Sequence, residues 1–127
     1  MSSCEKKYHC PVEATLSQIG GKYKAIILYH LLEDNVLRYN QLQKYLPQAT
    51  AKMLSQQLRE LENDGLVHRE VYPVIPPKTE YSLTERGKTL APVIKEICAW
   101  GRTYMASTFF DRSAQHPCNH LPEEKRL

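Results

Sequence analysis

"QATAKMLSQQLRELENDG", residues 48–65, decides how this chain is read. Leu54, Leu58 and Leu61 recur at helical spacing, so a narrow apolar seam faces a core. The opposite side carries Lys52, Ser55, Gln56, Arg59 and Asn63, and no acid precedes Glu60. An ordinary solvent-facing helix mixes Glu with Lys four residues apart for mutual support. A face of cations, amides and a hydroxyl instead suits phosphates and base edges. Thr50 is placed to cap this helix, and Gly65 to end it in a left-handed conformation.

Upstream, Asn40 is placed to cap a two-turn helix through Leu46, with Leu42, Tyr45 and Leu46 inward and Pro47 stopping it. "VLRY" at 36–39 reads as a short strand. Before it, Lys22 to Glu33 repeats Tyr23, Ile26, Ile27 and Leu31 on a wide apolar helical face. "GG" at 20–21 separates that helix from a first one over Pro11–Ile19, which has Cys10 at its cap and Pro11 where a missing N–H costs nothing. Downstream, Leu66 to Tyr72 turns to β patterning, with Val67 and Val71 on one side. "PVIPPK" at 73–78 cannot continue a ladder, because its prolines lack donors. "TEYSLT" at 79–84 resumes alternation through Tyr81 and Leu83, which makes a β-hairpin with a stiff, protruding loop. Thr84 caps a last helix expected to run to about Phe110 and to kink at Pro92. Leu90, Ile94, Ile97, Gly101 and Tyr104 line one stripe of it; Val93, Cys98, Trp100 and Met105 widen that stripe. From Asp111 onward periodicity stops, and a flexible tail is expected.

The 127 residues suit one compact domain, and 42% hydrophobic residues can build its core. Net charge is +3 and the pI about 8.7, only mildly basic. Distribution says more than the total: between Asn35 and Arg59 there is no acid, while Arg38, Lys44, Lys52 and Arg59 are basic. Neither an apolar spanning stretch nor a signal-type apolar core is seen, so a cytoplasmic protein with no membrane association is expected, nucleoid-associated when bound to DNA. The four cysteines, Cys4, Cys10, Cys98 and Cys118, are irregularly spaced, unlike a disulfide framework, and are expected to be mostly free thiols.

Helix, short turn, helix and then a two-stranded hairpin is the winged helix-turn-helix arrangement: mainly α with a small β-hairpin, an α+β fold. In it the first helix of the pair braces the second, which lies in the major groove. That groove admits one helix and displays a distinct donor and acceptor pattern for each base pair. Gln56 can donate and accept at an adenine edge, Arg59 can grip guanine or a phosphate, and Ser55 is short enough for close approach. Thr50 and Lys52, at the helix start, can meet phosphates. Lys22, Lys24, Arg38 and Lys78 are expected flanking contacts to the DNA backbone, which position without specifying. The plainer alternative is a merely solvated face, and it fits less well because acid-poor, amide-rich faces are uncommon on ordinary surfaces.

Enzyme readings find little: there is no phosphate-cradling glycine loop, no nucleophile elbow and no HExxH. No cofactor is expected. "HPCNH" at 116–120, with Cys4, His9 and Cys10, supplies metal-ligand types without a metal-binding spacing, so no metal site is assigned.

"CPVEATLSQIGGKYKAIILYHLL", "RYNQLQKYLPQATAKMLSQQLRELENDGLV", "REVYPVIPPKTEYSLTERG" and "PVIKEICAWG" together resemble the HxlR-type family of bacterial winged-helix regulators, over about residues 10–101 and in order. The resemblance implies a homodimer acting on double-stranded promoter DNA, usually as a repressor and sometimes as an activator. It also implies that the first and last helices, 11–19 and 84–110, build the dimer. The DNA-binding domain would then span 10–110, between an N-terminal arm (1–9) and the tail (111–127). An apolar stripe including Ile94, Ile97, Trp100 and Tyr104 agrees, being wider than one small winged head can cover. Two-fold symmetry would set two recognition helices on half-sites ~34 Å apart in a pseudo-palindrome.

Some regulators of this type respond to quinones, aldehydes or oxidants through a cysteine at the position matched by Cys10, so a small-molecule or electrophile inducer is a candidate partner. Cys10 at a helix start, near Lys6, Lys7 and His9, suits such redox sensing, although Glu13 opposes it. The alternative is an unreactive capping cysteine. For the whole chain, the alternative is a winged-helix protein-interaction module without a DNA ligand.

Overall fold

A computed structural model describes residues 7–108. The expected tail, the last two residues of the expected final helix (109–110), Cys4, Cys118 and the 116–120 cluster lie outside these residues. Helix α1 (Pro11–Ile19) starts where Cys10 caps it: the Glu13 N–H donates to the Cys10 Sγ at 3.5 Å. Helix α2 (Lys24–Asp34) supplies Ile27, Leu28 and Leu31 to the core. After the short strand β1 (Val36–Arg38), helix α3 (Tyr39–Tyr45) begins one residue earlier than its expected cap, Asn40. The Gln41 side chain closes that start by accepting from the Arg38 N–H at 2.8 Å.

Helix α4 (Ala51–Asn63) has the expected signals at both ends. The Thr50 Oγ1 accepts from the Met53 N–H at 3.1 Å, and Gly65 takes a φ of 78°, a conformation that costs residues with a Cβ but not glycine. Leu54, Leu58 and Leu61 are wholly buried, each stabilising the fold by roughly 1.5–3 kcal/mol through the apolar surface it removes from water. They meet Leu42 of α3, Leu46 at its C-terminal end and the α2 stripe in a single core.

The wing is a hairpin of β2 (Val67–Tyr72) and β3 (Lys78–Leu83), paired antiparallel from Val67↔Leu83 to Tyr72↔Lys78. The short strand expected at 36–39 is present as β1, and it joins the hairpin: β1 pairs with β3 through Leu37↔Tyr81 and gives sheet order β1-β3-β2. Val71 is half exposed, unlike Val67, because the hairpin outruns the core there. Tyr45 is also outward. Its ring stacks on His30 at a centroid distance of 4.0 Å, and its hydroxyl donates to the Asp34 carboxylate at 2.8 Å.

The expected single helix from Glu85 is in fact two. Helix α5 (Glu85–Lys88), capped by Thr84, stops, and α6 (Ala91–Tyr104) starts anew with Pro92 in its first turn. Proline is at home in a first turn and disruptive in an interior, so it restarts the chain instead of kinking it. Helix α6 ends at Tyr104, short of Phe110. No helix among the described residues is long and apolar enough to cross a membrane.

Candidate nucleic-acid interface

Two joints fix α4 in the molecule. At the first, the Tyr39 hydroxyl of α3 donates to the Ala51 carbonyl at 3.1 Å and accepts from the Ser55 hydroxyl at 3.3 Å. At the second, Gln57 accepts from the Tyr23 N–H at the start of α2, at 3.2 Å. Gly21 sits so close to that carboxamide that any Cβ would collide with the Gln57 Oε1. Neither Gln57 nor Tyr39 was singled out from sequence, since their partners come from other elements.

Held in this way, α4 presents Lys52, Gln56 and Arg59 outward and exposed, at i, i+4 and i+7. At 1.5 Å per residue they span about 10 Å of helix, roughly three base-pair steps. Neither Lys52 nor Arg59 is engaged in an ion pair among the described residues. Thr50, at the helix start, is exposed. Ser55 is a correction: it is half-buried and its hydroxyl is committed to Tyr39, so it braces the helix pair instead of meeting a base.

Among the expected backbone contacts, Lys22 and Arg38 are exposed. Lys78, half-buried beside the protruding loop, stands over the Tyr72 ring at 4.8 Å with Glu80 at 3.8 Å. Lys24 is the second correction. It is only 6% exposed, and its Nζ lies 2.8 Å from the Glu60 Oε1, so it faces inward to α4 and is withdrawn from the surface. Hydrogen bonding to Lys24, with smaller help from Gln56, holds the Glu60 carboxyl below its usual range.

A polar cleft between α4 and β2 is lined by Ser55, Arg59, Glu62, Asn63, Arg69 and Tyr81. The Arg69 Nε lies 3.4 Å from the Glu62 carboxylate. Burial holds the Tyr81 phenol above its usual value against the opposing charges of Arg69 and, more weakly, Arg59. Arg69 is the cation that the sequence reading missed. Its signal was a charge on the side of β2 shared with Val67 and Val71.

On the far side, α1 and α6 carry apolar groups that this chain leaves uncovered: Val12, Leu16, Ile97, Trp100 and Tyr104, the last two 59% and 61% exposed. The Trp100 and Tyr104 rings lie 5.3 Å apart. Ile94, expected on the same outward stripe, is 3% exposed and belongs to the core of its own chain. Cys10 is an exposed free thiol next to this face. Cys98, by contrast, is disulfide-bonded.

A braced helix pair with an outward cationic and amide face, flanked by a wing, defines a winged helix-turn-helix DNA-binding transcriptional regulator. Residues 18–109 match the HxlR-like helix-turn-helix family. The uncharacterized HTH-type transcriptional regulator YdeP of Bacillus subtilis (strain 168) is 58% identical over 95 residues, which cover 75% of this chain and 73% of that one. The chain belongs to the HxlR-like helix-turn-helix family, whose members bind DNA and are typically dimers.

Solved structures agree. The redox regulator HypR in its oxidized form superposes with a TM-score of 0.70 at 54% identity, covering 73% of this chain and 95% of that one. Diamide-treated YodB from B. subtilis gives a TM-score of 0.60 at 33% identity, covering 77% and 97%.

Proposed function

We propose that the chain works as a homodimeric repressor on a pseudo-palindromic operator. Its α4 enters the major groove, and α1 and α6 form the two-fold interface. The observation that carries this reading is the open stripe of Lys52, Gln56 and Arg59 on a helix whose other side is wholly buried. Gln56 reads a base edge, while Arg59 takes guanine or a phosphate. Thr50, Lys52, Lys22, Arg38 and Lys78 hold the backbone, joined by Arg69 of the polar cleft. Ile97, Trp100 and Tyr104 face the partner copy, since apolar rings so exposed in one chain call for cover.

Two substitutions separate specification from positioning. Gln56→Ala is expected to change which base is preferred at one position per half-site, whereas Lys78→Ala weakens every duplex alike. Equal loss on every sequence from both contradicts these roles. A protein that binds no duplex at all is instead a winged-helix module for protein partners.

The exposed Cys10 thiol supports a second element, release from DNA on reaction with oxidants or electrophiles. The likeness to HypR, solved in oxidized and reduced forms, favours it. Oxidant treatment is expected to change DNA binding and non-reducing gel mobility in the wild type and not in Cys10→Ser. If Cys10→Ser responds as the wild type does, sensing through this thiol is wrong.

A further inference from the structure

Glu60 is the acid that ends the acid-free run, and it stands at the edge of the face proposed to meet DNA. A carboxylate there repels phosphates, so its presence needs a reason. Its two oxygens are divided. Oε1 takes the Lys24 ammonium at 2.8 Å, and Oε2 accepts from the Gln56 Nε2 at 3.3 Å. Lys24 is itself buried at the first turn of α2, on a backbone start that Gln57 ties to α4. A fixed cation therefore fixes a carboxylate, and the carboxylate holds one N–H of the exposed Gln56 carboxamide.

What remains of that carboxamide is one N–H and the Oε1, and they lie side by side when Glu60 takes the N–H turned away from the Oε1. This is the pair that adenine complements with its N7 acceptor and N6 donor. Without Glu60, an exposed glutamine samples rotamers and both amide orientations, and ordering it on binding costs about 0.5–1.5 kcal/mol. Lys24 and Glu60 meet no base in this arrangement; they act through Gln56.

We infer that the Lys24–Glu60 pair is a positioning device that presets Gln56 to read adenine, and so sets sequence preference from inside the protein. This inference rests on the proposed base-reading role of Gln56. The one-sided alternative is a plain tie between α2 and α4 that steadies the fold.

The test uses the full-length protein and a duplex series varying one base pair at a time around the operator. Gln56→Ala first marks the position it relaxes. At that position Glu60→Ala and Lys24→Met are each expected to cut the preference for A·T about 2- to 10-fold, the ordering cost expressed as a ratio. Preferences elsewhere should hold. On duplexes that lack A·T at that position, where only the charge change is read, affinity should move in opposite directions, tighter for Glu60→Ala and weaker for Lys24→Met, because one removes an anion and the other a cation. In a Gln56→Ala background, Glu60→Ala should have no further effect on preference, a result that stability alone cannot produce.

If Lys24→Met does not fold, Glu60→Ala and this double-mutant comparison carry the test. Glu60→Ala leaving the preference intact while Gln56→Ala relaxes it overturns the positioning role and spares the base-reading role. A Gln56→Ala protein that relaxes no position overturns both.

Discussion

Gly21→Ala probes the joint that sets the recognition helix. Gly21 is outside the left-handed region, so alanine is conformationally allowed there. On backbone entropy alone it should stabilise by about 0.4–1 kcal/mol. Gln57 opposes this, because the new Cβ would collide with its Oε1 and lie 3.0 Å from the Lys24 Cδ. A small rotation of Lys24 relieves the second clash. The first forces Gln57 away and ends its 3.2 Å bond from the Tyr23 N–H.

Leaving that part-buried donor unpaired costs about 1–3 kcal/mol. The net expectation for Gly21→Ala is a loss of about 0–2.5 kcal/mol, or up to roughly 10 °C in Tm. In a Gln57→Ala background the donor is already orphaned and the obstacle gone, so Gly21→Ala should be neutral or slightly stabilising. Urea and thermal unfolding of the four proteins at one protomer concentration measure the coupling, expected at about 1–3 kcal/mol. Additivity within about 0.5 kcal/mol would refute the idea that Gln57 is what Gly21 makes room for.

Three other outcomes follow from the same geometry. Burial holds the His30 ring below its usual pKa of 6.5, with Asp34 pulling the other way, so the folded chain binds fewer protons than the unfolded one as pH falls through that value. Stability is present above about 6.5 and is lost below it, so Tm should drop from pH 7.5 to 5.5. His30→Phe, which keeps a ring against Tyr45, should flatten that drop; an unchanged slope would place the titration elsewhere. Ile94→Ala should destabilise the protomer by about 2–5 kcal/mol, since it empties core volume. Trp100→Glu should leave the fold intact and shift sedimentation to monomer, and a persistent dimer would remove α6 from the interface.

Local signals were legible in sequence where they acted through neighbours in the chain. The Thr50 cap, the Gly65 terminus, the bounds of α1 and the leucine seam of α4 each need only a few adjacent residues. Long-range partners were not legible. Val36–Arg38 is too short to show alternation, and its β3 partner lies more than forty residues away. Lys24 reads as a surface cation until Glu60, thirty-six positions on, is brought to it. Ser55 fits the open face by spacing alone, yet Tyr39 reaches it from α3. Pro92 is compatible with both a kink and a fresh start, and packing of Ile94 against the core selects the start. The three outward side chains of α4 were legible because amphipathic spacing settles which side a core takes, and the rest follows by exclusion.

The affinity of the protein for its operator duplex between 50 and 200 mM salt tests the central claim most directly. If the Lys52, Gln56 and Arg59 face enters the groove with its flanking cations on phosphates, the logarithm of affinity should fall linearly with the logarithm of salt, by about 0.9 per neutralised phosphate. Lys52→Ala should make that slope shallower by about 0.9, the share of the one phosphate this ammonium neutralises. Operator binding that is indifferent to salt, or a slope untouched by the removal of Lys52, would mean this face is turned to something other than DNA.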